Sequence, residues 1–169
     1  MVSIKMIIPN IITLSNLLLG ILSLTYTMNQ QYQTAAILIL AAVFLDGMDG
    51  KIARRLNVET NFGKELDSLC DLVSFGVAPA LLVYDIYLQE IGVFGLLISL
   101  SYALCGAVRL ARFNVMNIKT YFIGVPITIA GGIMSIAILL SNILPAFIFP
   151  YLTVTLAYLM VSNFKIPKF

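Results

Sequence analysis

Residues 45–71 read LDGMDGKIARRLNVETNFGKELDSLCD, and they hold six of the eight acidic residues in the chain. Long apolar runs lie on both sides of this segment, Ala35–Leu45 before it and Leu72–Val83 after it, interrupted by few polar side chains. Asp46 and Asp49 are three residues apart at the end of the first run, and Asp67 and Asp71 are four apart at the start of the second. At about 100° per residue, a helix places each pair on one face. A short connection between two helices makes them antiparallel neighbours, so the two faces can meet and bring four carboxylates into one space.

The composition names the solvent around those helices. The chain has 169 residues, 60% hydrophobic and 11% charged, with a mean hydropathy of +1.01; soluble domains carry about 25% charged residues. A hydrocarbon core of ~30 Å takes about 20 helical residues to cross. Six stretches of that kind are expected, over residues 10–28, 33–55, 66–85, 91–112, 123–141 and 145–162, in an all-α integral membrane protein forming a single domain over 1–169. Strands are not expected, because the apolar runs do not alternate. The first run, Ile7 to Met28, is long enough to span and lacks a small-residue cleavage pattern, so it reads as a retained helix. Cys70 and Cys105 both fall in apolar helical segments and read as reduced packing residues.

The cations orient the spans. Lys5 precedes the first; Lys51, Arg54, Arg55 and Lys64 flank the second connection; Arg109, Arg112 and Lys119 flank the fourth; Lys165 and Lys168 follow the sixth. All ten fall on one side, while the opposite connections carry only Asp85 and Glu90. The positive-inside rule puts both termini and the carboxylates at the cytoplasmic face of the cell membrane.

Four converging aspartates repel one another unless cations neutralise them. All-oxygen ligands suit Mg²⁺ or Mn²⁺, with Ca²⁺ a further candidate, and the chain has no histidine for a zinc site. Four carboxylates can bridge two such ions about 4 Å apart, as in two-metal phosphoryl transfer. Gly50 and Ala53 remove bulk beside Asp49, Gly63 permits a tight turn into the third span, Arg54 offers a fork for phosphate oxygens, and Thr60 could donate a hydroxyl. Glu59 and Glu65 read as interfacial caps, and Lys51, Arg55 and Lys64 as headgroup anchors.

The spacing D-x2-D-G-x2-A-R-x8-G-x3-D-x3-D, filled by Asp46, Asp49, Gly50, Ala53, Arg54, Gly63, Asp67 and Asp71, resembles the signature of CDP-alcohol phosphotransferases. That resemblance implies their six-helix fold and transfer of a phosphatidyl or related group from a CDP-linked lipid to an alcohol, with CMP leaving. It implies that Asp46 and Asp67 bridge two metals, that Asp49 completes one, and that Asp71 contacts the other and acts as general base. Gly50, Arg54 and the connection near Thr60 would hold the CDP moiety, and the string PNIITLSN adds Asn10, Thr13 and Asn16 as candidates. A homodimer is also implied; Gly92 and Gly95, or Gly131 and Gly132, could allow close helix contact.

The strings LDSLCDLVSFGVAPALL, RLARFN and FIGVPI resemble bacterial and archaeal membrane-spanning phosphatidylserine synthases, although Val125 stands where leucine or methionine is more usual. The resemblance implies CDP-diacylglycerol and L-serine as substrates, within membrane lipids and without nucleic acid. Serine is zwitterionic and needs a cation for its carboxylate, which makes Arg109, Arg112 and Asn114 the candidates for holding it. Other acceptors, glycerol 3-phosphate or inositol phosphate, and an archaetidyl lipid are the alternatives within this chemistry. A divalent-cation transporter is the rival from another class, since intramembrane acids often mark ion pathways. Its weakness is that no polar residues continue the acidic cluster through the outer halves of the spans.

Overall fold

The computed structural model describes residues 4–56, 60–116, 121–163 and 165–167, with side chains over 9–48, 60–115 and 124–163. Six helical runs make up nearly all of it: α1 (Ile4–Met28), α2 (Tyr32–Leu56), α3 (Asn61–Ile91), α4 (Val93–Met116), α5 (Ile127–Leu139) and α6 (Ile148–Val161). One antiparallel ribbon pairs β1 (Tyr121–Ile123) with β2 (Lys165–Pro167), Phe122 opposite Ile166. This ribbon departs from the expectation of no strands. It lies at the edge of the helices, tying the α4–α5 connection to the segment after α6, so the apolar runs themselves remain helical.

Among the described residues, Pro9–Met28, Asn61–Ile91 and Val93–Val115 are long and apolar enough to cross a membrane, and Tyr32–Met48, α5 and α6 are shorter apolar helices. The last two are shorter than the sequence suggests. Gly124 turns the chain at φ 71 and Pro126 is extended at φ −55, ψ 139, so α5 begins only at Ile127. At its other end the chain leaves the helix at Leu140 and runs through hydrogen-bonded turns past Pro145.

The sidedness of α1 suits lipid rather than water. Thr13, Asn16, Gly20, Ser23 and Thr27 are buried, whereas Ile11, Leu14, Leu18 and Ile21 are exposed. The small and polar residues therefore face neighbouring helices and the large apolar ones face outward, the arrangement of a helix whose solvent is hydrocarbon. The buried hydroxyls are satisfied locally. Thr27 donates to the Ser23 carbonyl at 2.9 Å, Ser135 to Gly131 at 2.9 Å and Thr153 to Phe149 at 2.8 Å.

α3 is the centre, packed against α1, α4 and α5. Small residues allow the approach: a Cβ on Gly20 would lie 2.5 Å from Ser74 Oγ, and one on Gly131 would lie 3.0 Å from Phe75 Cβ. The axis of α3 is not regular. Pro79 has no N–H to serve the carbonyl of Phe75, four residues earlier, and Leu72–Val77 forms a π-helical stretch in which the Ala78 N–H reaches back five residues to Val73. The hydroxyl of Tyr102, fully buried on α4, donates to the Phe75 carbonyl at 3.2 Å, and Ser99 donates to Ala80 at 2.7 Å. Within a membrane the Phe75 carbonyl has no water to turn to, so α4 supplies its partner, whereas the Ala80 carbonyl accepts from the Tyr84 N–H as well as from Ser99. At the far end of α3 the Tyr32 hydroxyl donates to Asp85 Oδ2 at 2.9 Å, and Tyr87 stacks on Phe149 with ring centroids 3.8 Å apart. Cys70 is buried and Cys105 half-buried, and neither forms a disulfide.

Candidate active site

Three of the four sequence-predicted metal ligands converge. Carboxylate oxygens of Asp46 from α2 and of Asp67 and Asp71 from α3 all lie within 4.8 Å of one another. The antiparallel pairing of two neighbouring helices brings this about, together with the four-residue spacing that points Asp67 and Asp71 from one face. Asp71 is buried at 7% exposure, and Asp46 and Asp67 are half-buried. The backbones of Asp49, Gly50, Ala53 and Arg54 continue α2 as helix, and beyond that these four positions lie outside the described residues, as does Glu59.

α1 closes one side. The Asn16 amide, with no exposed surface, donates to Asp71 Oδ1 at 3.4 Å. Its backbone is held in turn, since Ser74 on α3 donates to the Asn16 carbonyl at 3.1 Å. Thr13 is buried one turn earlier and its hydroxyl donates to the Pro9 carbonyl at 3.1 Å. Thr60 is the N-cap of α3 and its hydroxyl oxygen accepts from the Gly63 N–H at 3.0 Å. Gly63 therefore does not make the tight turn read from the sequence, because it already belongs to the first helical turn. Its small size matters instead for proximity: a Cβ there would lie 3.1 Å from Thr60 Oγ1 and 3.4 Å from Asn10 Oδ1. Asn10, Thr60 and Gly63 thus meet where the first turns of α1 and α3 cross.

α4 closes the other side. Arg109 is 8% exposed, its charge interacts with those of Asp71 and Asp46, and its guanidinium lies 5.9 Å from the Phe113 ring centroid. A guanidinium this deep needs anionic company, and the carboxylate cluster provides it. Arg112 points elsewhere: exposed, it donates to the Val161 carbonyl at 2.9 Å and ties α4 to the end of α6. Asn114 donates to Glu65 at 3.3 Å and to Ser68 at 3.1 Å, linking α4 to the first turns of α3. Glu65 therefore has a partner across the helices as well as a place near the helix start. One further residue stands beside the acids: Thr128, in the first turn of α5, lies within reach of the Asp46 carboxylate. It lies 82 positions from Asp46, belongs to no local acidic pattern and falls just after the string FIGVPI, so no signal in the sequence pointed to it.

An all-oxygen set with carboxylates this close fits a hard divalent cation, which would relieve the repulsion that the cluster otherwise carries. Among the described residues the buried charged side chains are Asp71 and Arg109, and the other buried polar groups are hydroxyls and one amide. Among the described residues, no chain of buried charged groups continues from the cluster through the bundle.

Fold and site together define a helical membrane protein with a cation-ready acidic cluster built between two antiparallel helices. A family model described as CDP-alcohol phosphatidyltransferase matches residues 6–161, and the chain belongs to that family. Among its relatives, one from Bacillus subtilis is 39% identical over 163 residues, covering 96% of this chain and 90% of its own length. One from Helicobacter pylori is 38% identical over 170 residues, covering 95% and 72%. An archaeal one from Methanocaldococcus jannaschii is 36% identical over 164 residues, covering 96% and 74%. All three are described as CDP-diacylglycerol--serine O-phosphatidyltransferase.

Proposed function

We propose that this chain transfers the phosphatidyl group of CDP-diacylglycerol to the hydroxyl of L-serine and releases CMP, as a step of phospholipid biosynthesis. The observation that carries the reading is the convergence of Asp46, Asp67 and Asp71, in a chain whose similar proteins from bacteria and an archaeon are described with that activity. Six membrane crossings in one domain, with both termini and the cluster at the cytoplasmic face, follow from the one-sided cations. The homodimer belongs to the same reading, with a contact that leaves out Gly131 and Gly132, which face Phe75 and Val43 within the chain.

In this reading Asp46, Asp49, Asp67 and Asp71 hold two divalent ions, which supply charge neutralisation to the pyrophosphate oxygens. The lipid lies with its acyl chains in the bilayer. Asn10, Thr13, Thr60, Gly63 and the α2 positions Asp49, Gly50, Ala53 and Arg54 line the CDP side. Asp71 accepts the proton of the serine hydroxyl as that oxygen bonds to the lipid-side phosphorus and the bond from phosphorus to CMP breaks. Arg109 is the main partner of the serine carboxylate, because it is buried beside the acids and its Nε lacks a hydrogen-bond partner among the described residues. Asn114 stands beside the start of α3, while Arg112 is taken up by the end of α6.

The test is an acceptor panel. Purified protein in lipid nanodiscs receives CDP-diacylglycerol with labelled serine, glycerol 3-phosphate or inositol phosphate, and the lipid product is identified. Serine-dependent CMP release with phosphatidylserine as product is expected; a preference for another acceptor overturns the choice of alcohol.

A further inference from the structure

Asn16 holds an unusual position beside the carboxylates. It has no exposed surface, its amide nitrogen is directed to Asp71 Oδ1, and its Oδ1 is buried with no hydrogen-bond partner among the described residues. A buried amide oxygen left unmatched costs about 1–3 kcal/mol, and in hydrocarbon surroundings no bulk water relieves it. The backbone cannot easily move to relieve it either. Ser74 holds the Asn16 carbonyl at 3.1 Å, and one turn further on Gly20 brings α1 so close that a Cβ would lie 2.5 Å from Ser74 Oγ. The amide is therefore fixed at the rim of the cluster with one arm engaged and the other vacant.

A vacant, uncharged oxygen on a side chain whose nitrogen already touches one of the carboxylates is poor company for an anion and good company for a hard cation, whose coordination commonly mixes carboxylate and amide oxygens. We propose that Asn16 Oδ1 is an additional oxygen donor to the divalent cation held by Asp46, Asp67 and Asp71, directly or through one bound water. α1 then contributes to the metal centre rather than only to the nucleotide side, and three helices hold the ion. The inference rests on the metal reading of the acidic cluster.

The test measures Mn²⁺ alone, titrated calorimetrically into the purified full chain in nanodiscs without nucleotide or lipid substrate. Asn16→Leu keeps the size but removes both arms of the amide, and its Mn²⁺ affinity is expected to fall roughly tenfold or more, the scale on which metal sites respond to lost supporting groups. Asn16→Asp loses the N–H that reaches Asp71 but keeps an oxygen, and is expected to bind Mn²⁺ within about threefold of the parent or tighter. That contrast separates a ligand from a residue that merely orients Asp71, for which both variants would lose affinity alike. Should Asn16→Leu fail to fold, Asn16→Asp decides alone, and a tenfold loss there overturns the proposal. Parent-like binding by Asn16→Leu overturns the role of Asn16 while leaving the acidic site intact. A parent chain that binds no Mn²⁺ overturns the metal reading together with it.

Discussion

Asp71 combines the most complete burial of the clustered carboxylates with contacts from two helices, Asn16 on α1 and the charge of Arg109 on α4. A general base removed by an isosteric amide takes with it about 10²- to 10⁴-fold in rate, so Asp71→Asn is expected to lower turnover on that scale while the protein still folds. Turnover within threefold of the parent would end the assignment. The two arginines of RLARFN separate at this scale as well. Arg109→Lys exchanges a buried planar fork for a point charge and is expected to raise the serine KM by roughly tenfold, with a smaller change in the KM for the lipid. Arg112→Lys disturbs an exposed bond to the end of α6, and its serine KM is expected to stay within about threefold. The type and spacing of the acids were legible in the sequence because a helix converts spacing into a shared face. Of the two arginines, Arg109 is favoured already by its deeper place in the apolar run, while the bond of Arg112 to the end of α6 shows only in the structure.

At the scale of the element, α3 carries the most instructive departure from a regular helix. The sequence shows an unbroken apolar run containing Pro79, and the structure resolves it as α-helical and π-helical stretches with the Tyr102 hydroxyl of α4 donating to the Phe75 carbonyl that Pro79 cannot serve. Tyr102→Phe removes the donor to the Phe75 carbonyl and leaves a buried acceptor unmatched, at about 1–3 kcal/mol. A lower thermal midpoint in nanodiscs is the expected result, with the serine KM unchanged because the hydroxyl lies away from the carboxylates. An unchanged midpoint would mean that the π-helical stretch satisfies Phe75 without help. The start of α3 teaches a related lesson. Thr60 as N-cap was within reach of pattern reading, since a threonine before a helix is a common start signal, whereas the approach of Asn10 to Gly63, from 53 positions away, was not.

The whole molecule is a bundle whose exposed surface is apolar and whose interior combines large apolar side chains such as Phe75, Phe149 and Met134 with buried hydroxyls and the charged site, and its sidedness is testable. After replacement of Cys70 and Cys105 by alanine, a cysteine in place of the exposed Glu90 is expected to react with a membrane-impermeant maleimide in intact cells. A cysteine in place of the exposed Lys64 is expected to react only after the membrane is opened; the reverse pattern would invert the topology. Composition, the count of apolar runs, the placement of cations and the spacing of acids were determined by the sequence alone, because each depends on helical periodicity and on the thickness of a bilayer. The shortening of α5 and α6, the ribbon between β1 and β2, the approach of Thr128 to Asp46 and the seat of Asn16 against Asp71 were decided only by tertiary structure. They join residues tens of positions apart, and contacts of that kind depend on how closely helices approach, which is set at crossings such as Gly20 on Ser74 and Gly131 on Phe75 rather than by any local pattern.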